Sequence, residues 1–227
     1  MTDNSTAHLS NDYDSLIKKT IPFYDDFHKE TIEIIKCIKP LPNSWLDTGC
    51  GTGTLIEKAL PEFPSTEFYL CDPSIGMMEQ AKNKLQQFNK KVQFLNSMQT
   101  NEISDELNEK YDVITAIQSH HYMSVLGRIS ATKKCYELLK KSGVYITFEN
   151  TKPLTEEGIE IGKCHWSKFQ INQGRDINIV EKHMSRFNEE YFPITVEEHL
   201  ELLRAAGFKV IELFWFSFMQ SGYYCIK

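Results

Sequence analysis

From Ser44 to Asn150 short β-type apolar runs alternate with stretches of helical spacing. The strand candidates are Ser44–Asp47, Glu67–Asp72, Val92–Asn96, Tyr111–Ile117 and Val144–Glu149. Between them lie Thr54–Leu60, Ser74–Phe88, a short piece near Glu102–Leu107, and Val125–Lys140. In the second of these, Ile75, Met78, Ala81, Leu85 and Phe88 recur at the spacing of one helix face. Strand–helix alternation predicts a parallel sheet covered on both faces, and right-handed crossovers make it a doubly wound α/β sheet.

The flanks carry different patterns. Residues 13–42 read as N-terminal helices broken near Pro22. Residues 151–192 show helical patterns without a clear strand, which predicts a helical cap inserted after the fifth strand. Thr195 suits the N-cap of a helix over Val196–Ala206, with Glu197 and Glu198 in its first turn and Gly207 as its stop. Phe208–Ser217 and Tyr223–Lys227 then form two β runs around Gln220-Ser221-Gly222, read as a hairpin turn. The whole chain, 1–227, is expected to be one domain.

Charge and composition narrow the function. The net charge is −6 and the lysines fall in scattered pairs, so no basic run offers phosphate neutralisation to a nucleic acid. The six cysteines show no CxxC spacing, which suits thiols in a reducing cytoplasm and no metal site. The polar start MTDNSTAHLSND lacks the apolar segment of a signal peptide, and residues 1–12 are expected to fray. No apolar run is long enough to cross a membrane.

Glycine is scarce, at 11 of 227 residues, yet Gly49, Gly51 and Gly53 fall within five positions. They follow Trp45-Leu46-Asp47-Thr48 and open a helix, where glycines allow a tight turn and close backbone approach to a ligand. The spacing G-x-G-x-G departs from the dinucleotide fingerprint, because position 54 is Thr. Asp72 ends the second strand about 20 residues further on, where a carboxylate can accept from both ribose hydroxyls or can cap the next helix.

With these residues the sequence resembles the class I S-adenosylmethionine-dependent methyltransferases. Asp47, Gly49, Gly51 and Gly53 match their first motif, and Asp72 matches their second. The resemblance implies a Rossmann-like seven-stranded sheet with an antiparallel C-terminal hairpin. It implies S-adenosyl-L-methionine as cofactor, with S-adenosylhomocysteine as product. It places Asp47 and the loop Gly49-Cys50-Gly51 with Gly53 at the methionine part, and Pro73, Ser74 and Met77 beside the adenosine. Ser97 stands where the family often has an acid, Met98 offers its backbone and apolar surface to the ring, and Ile117 presents a carbonyl to the cofactor amine.

The flanks are also similar to the carboxy-S-adenosylmethionine synthases, methyltransferase-fold enzymes of tRNA wobble-uridine modification. Pro22-Phe23-Tyr24 matches their Pro-x-Tyr element, which makes Tyr24 a cofactor contact or else a packing aromatic. Their carboxylate-holding arginine is replaced here by Met184, and a thioether makes no bidentate pair. The expected function is methyl transfer to O or N of a small-molecule acceptor. The alternatives are the tRNA-related synthase chemistry and a non-catalytic cofactor-binding protein. His121 and His120 follow the fourth strand at the ligand end of the sheet and are the candidate bases, with Glu149, His165, His183 and Tyr191 ranked below them. Trp166, Phe169, Phe187, Tyr191 and Phe192 of the cap, with Phe214, Trp215, Phe216 and Phe218, are expected to line an acceptor pocket or join the core. A monomer or homodimer is expected.

Overall fold

The computed structural model describes residues 3–227. Two helices, α1 (Tyr13–Thr20) and α2 (Tyr24–Cys37), precede the sheet. The break between them lies at Pro22–Phe23, with Phe23 in the left-handed region at φ 56°.

The sheet has seven strands: β1 (Ser44–Thr48), β2 (Glu67–Cys71), β3 (Val92–Phe94), β4 (Tyr111–Ile117), β5 (Leu139–Asn150), β6 (Val210–Ser217) and β7 (Gln220–Ile226). Their order is β3-β2-β1-β4-β5-β7-β6. The first five run parallel, whereas β7 is antiparallel to β5 and β6 to β7. The crossover helices are α3 (Thr54–Ala59), α4 (Ile75–Leu85) and α5 (Val125–Leu138). The cap carries α6 (Glu156–Asn172) and α7 (Ile177–Ser185), and α8 (Val196–Ala206) leads into the hairpin.

Burial on both faces explains why the central strands read as continuous apolar runs. Trp45, Phe68, Val113, Ile146 and Phe148 face α2 and α3, while their neighbours Leu46, Tyr69, Ile114 and Tyr145 pack with Cys135, Leu138 and Leu203 of α5 and α8. Thr195 caps α8 in a reciprocal box with Glu198, and Gly207 ends it at φ 113°.

Three local expectations are corrected. The hairpin turns at Phe218–Met219, with Phe218 at φ 53°, and Gln220-Ser221-Gly222 instead pair with Ser217, Phe216 and Trp215 inside the ladder. The fifth strand starts at Leu139, five residues before Val144, because Leu139 pairs with Tyr111 across a bulge. None of the aromatic residues of the cap and hairpin lines the cavity described below; most join the core, whereas Phe216 is exposed. Trp166 is fully buried and donates its indole N–H to the Thr20 carbonyl at 2.7 Å, tying α6 to α1.

Residues 3–12 do not trail away from the fold. His8 and Ser10 are buried, and the His8 ring meets Thr20 Oγ1 at 2.8 Å.

Candidate functional site

Chain direction reverses its side of the sheet between β1 and β4, the place where open α/β sheets gather ligands at their carboxyl ends. A cavity of about 430 Å³ lies there. Asp47, Gly49, Cys50, Gly51, Asp72, Pro73, Met77, Ile117 and Tyr24 all line it.

The glycine loop is built for this place. Gly49 and Gly51 both sit at positive φ, 71° and 54°. The Gly49 and Cys50 amides donate to the Cys71 carbonyl at 2.8 and 3.0 Å, which folds the loop over the end of β2. A Cβ on Gly49 would stand 2.4 Å from Ser119 Cβ, so only glycine fits between the loop and the end of β4.

Two carboxylates share the cavity. Asp72 accepts from the Gly51 amide and the Ser74 amide, each at 2.9 Å. The N-cap of α4 is Ser74, whose hydroxyl accepts from the Met77 amide. Burial raises the Asp72 carboxyl against the pull of those two backbone bonds. Asp47 accepts from Thr115 Oγ1 at 2.6 Å. Burial pushes its carboxyl up to about 7, with the Thr115 bond opposing and the Asp72 charge reinforcing. No lysine, arginine or histidine among the described residues forms an ion pair with either.

These features fit a sulfonium cofactor that also carries an ammonium and a ribose. Two buried acids without a cationic partner suit positive charge and hydroxyl donors, and Gln118 Nε2 and Ser119 Oγ line the same space without a hydrogen-bond partner.

Several expected residues stand elsewhere. Gly53 is not at the cavity: at φ 76° it starts α3, and a Cβ there would press on Leu85 and Ala81. Ser97 is exposed, and Met98 packs on the core cluster below the sheet. Their neighbours Gln99 and Thr100 line the cavity in their stead. The chain leaves β3 at Phe94, two residues before the expected end, so the loop arrives displaced.

The two histidines divide. His121 does not reach the cavity. It is buried, with Nδ1 2.6 Å from Glu149 Oε2 and Nε2 3.1 Å from Asn150 Nδ2, so both ring nitrogens are engaged. His120 does line the cavity, but Nε2 meets Thr100 Oγ1 at 2.9 Å and Nδ1 meets the Tyr145 hydroxyl at 3.3 Å. Burial lowers it to about 4, so the ring is neutral at pH 7 with both nitrogens engaged. Glu149 accepts from the backbone amides of His120 and His121 at 3.0 and 2.9 Å and so holds the turn that follows β4. Burial would raise its carboxyl, but His121, His120 and His199 together outweigh burial and hold it low. His165 is exposed and stacked on Phe218, and His183 and Tyr191 are buried away from the cavity.

Sequence patterns did not single out Tyr13, His28, Gln118, Ser119 or Tyr122, which also line the cavity. Gln118 and Ser119 directly follow β4, so the rule that ligands collect at strand ends points at them as well as at the histidines. Gln118 sits at φ 54°, a position that costs a non-glycine residue backbone strain.

Residues 46–145 match a family model described as a methyltransferase domain. A carboxy-S-adenosyl-L-methionine synthase of Nautilia profundicola is 28% identical over 215 residues, covering 88% of this chain and 84% of its own length. A solved Thermotoga maritima protein, described as an S-adenosylmethionine-dependent methyltransferase and possible histamine N-methyltransferase, superposes with a TM-score of 0.63 at 16% identity over 98% of both chains. The structure of PigF with S-adenosylhomocysteine superposes at 0.61 and 15% identity, over 90% of this chain and 57% of that one. Residues 46–145 thus match a methyltransferase domain, set in a fold shared with solved S-adenosylmethionine-dependent methyltransferases.

Proposed function

We propose that the protein transfers a methyl group from S-adenosylmethionine to an oxygen or nitrogen of a small-molecule acceptor. The observation that carries this reading is the walled cavity of about 430 Å³ holding Asp47 and Asp72 at the ends of β1 and β2. That volume suits a nucleoside-sized cofactor plus a small acceptor. In this reading Asp72 accepts from the ribose hydroxyls and Asp47 faces the methionine ammonium. The Ile117 carbonyl accepts from the same amine, Pro73 and Met77 flank the adenosine, and Tyr24 closes the methionine end. The methyl carries its own activation: the acceptor lone pair forms the new bond, the S–CH₃ bond breaks, and S-adenosylhomocysteine leaves. With both His120 nitrogens engaged, alignment and exclusion of water supply the acceleration, and the acceptor proton passes to solvent.

Calorimetry with S-adenosylmethionine and S-adenosylhomocysteine tests the cofactor site, and transfer of labelled methyl to a panel of small phenols, amines and carboxylates tests the reaction. Binding with no transfer to any acceptor would favour a non-catalytic role.

The synthase relatives favour a second reading, formation of a carboxylated cofactor. Met184 opposes it, since it is buried in α7 away from the cavity where that reading needs a guanidinium. Mass spectrometry after incubation with S-adenosylmethionine and prephenate separates the two: a product heavier than the cofactor supports the synthase, and S-adenosylhomocysteine alone with a methylated acceptor supports transfer. A net charge of −6 speaks against an RNA acceptor. Six free cysteines agree with a cytoplasmic location, and among the described residues no helix is long and apolar enough to cross a membrane. We take the active form to be a monomer or homodimer.

A further inference from the structure

We propose that residues 3–10 are a strap that forms the outer wall of the cofactor site and retains the bound cofactor. The inference rests on the cofactor reading of the cavity. Asp3, Asn4, Ser5 and Thr6 are four consecutive residues, and all four line the cavity.

The strap is fastened at both sides of the cavity mouth. On one side, the Asp3 carbonyl accepts from Ser74 Oγ at 3.2 Å, beside the Asp72 carboxylate. On the other, the Ser5 carbonyl accepts from Arg186 Nη2 at 2.6 Å, beyond α7 of the cap. The strap therefore bridges the first half of the sheet to the cap, across the space that a cofactor occupies.

Its own shape is fixed by short-range bonds. The Asp3 carboxylate accepts from the Ser10 amide at 3.0 Å and from the Ser10 hydroxyl. Asn4 Oδ1 accepts from the Thr6 amide at 2.7 Å, and the His8 carbonyl accepts from Thr6 Oγ1 at 3.0 Å. Buried His8 anchors the far end on Thr20 Oγ1. Beneath the strap lies Gly76 in the first turn of α4. A Cβ there would stand 2.4 Å from Asp3 Oδ2 and 2.7 Å from Ser10 Oγ. The missing side chain is what lets the strap lie flat on α4.

Polar tethers of this kind are individually weak and few enough to break in concert when cofactor enters or leaves. An ordered wall with so little buried apolar surface can open without unfolding the sheet. The strap then sets how fast cofactor is exchanged, while Asp47 and Asp72 set which cofactor is bound.

The test compares wild type, Gly76→Leu and a chain lacking residues 2–10. Rates of S-adenosylhomocysteine release are read by rapid displacement with excess S-adenosylmethionine, and affinities by calorimetry. Hydrogen exchange of amides 4–10 is followed with and without S-adenosylhomocysteine. We expect both variants to release the ligand at least tenfold faster, with a matching rise in Kd, and wild-type amides 4–10 to exchange at least tenfold more slowly when it is bound. Gly76→Leu, which replaces no residue that lines the cavity, decides the matter if the shortened chain does not fold. Release and affinity within twofold of wild type in Gly76→Leu overturn the strap. Wild-type protein that takes up no S-adenosylhomocysteine overturns the cofactor reading, and the strap with it.

Discussion

Thr115 and Asp47 are register partners on adjacent strands, and the Thr115 hydroxyl donates to the Asp47 carboxylate at 2.6 Å. The same hydroxyl accepts from the Trp45 indole N–H at 2.9 Å. A core aromatic thus orients the threonine that orients the acid, and the carboxylate is fixed before any ligand arrives.

This acid gives a pH signature to binding. Asp47 titrates at about 7 in the free protein, and an ammonium beside it requires the charged form. Affinity for S-adenosylhomocysteine is expected to weaken as pH falls below 7 and to level off above 8. Asp47→Asn is expected to abolish that slope and weaken binding about tenfold at pH 8, which calorimetry across pH 6–8.5 would read.

The same shift predicts a stability effect of opposite sense. A carboxyl raised in the fold stabilises it below about pH 3.8 and loses that contribution as pH rises through 7. Ligand-free Asp47→Asn is therefore expected to melt about 4–8 °C above wild type at pH 8. An unchanged melting temperature would show that Asp47 carries no such cost.

At Asp72 the two roles separate by substitution. The carboxylate accepts from the Gly51 and Ser74 amides, and an asparagine retains one accepting oxygen. Asp72→Asn is expected to weaken S-adenosylhomocysteine binding at least tenfold while lowering the melting temperature by under about 4 °C, roughly 1 kcal/mol for a chain of this length. Unchanged affinity would refute the ribose contact.

Acid should unfold the protein early. Burial is the largest cause that lowers His8, His120 and His199 to about 4 and His28 and His183 to about 3. The unfolded chain binds these protons near 6.5, so stability is fully present above that value and falls as pH drops toward 3–4. Asp47 opposes the trend by one proton. Urea unfolding near pH 5 is expected to lose about 3 kcal/mol or more per pH unit.

Glu149 is expected to be the costliest single polar residue in the turn after β4. Glu149→Gln leaves two backbone amides and His121 competing for one oxygen, and is predicted to cost about 3–5 kcal/mol at pH 7 by urea unfolding. A loss under about 1 kcal/mol would show that other contacts hold the turn.

Much of the fold was legible because it rests on period and punctuation. The capping box at Thr195 and Glu198, the stop at Gly207, and the strands from Trp45 to Phe148 follow from local chemistry. The hairpin turn was misplaced because Phe218 adopts a positive φ that its residue type does not announce. The carboxylates and loop glycines of the site were readable, since each has a distinctive type at the end of a strand. The outer wall was not: Asp3 to Thr6 are ordinary surface residues, and only their bonds to Ser74 and Arg186 make them part of the site. The burial of His121 outside the cavity was hidden for the converse reason, because its partner Glu149 is 28 residues away in sequence.

The buried Arg128 on α5 donates to the carbonyls of His120 and His121 after β4 and to that of Phe192 at the end of the cap. The Phe192 amide in turn donates to the His121 carbonyl at 2.7 Å. The cap is consequently no exchangeable module. A graft that joined a foreign insertion at residues 151 and 192 would also have to return a carbonyl to Arg128, or leave a buried guanidinium short of an acceptor. A transplanted cap should therefore carry residues 120–128 along with it.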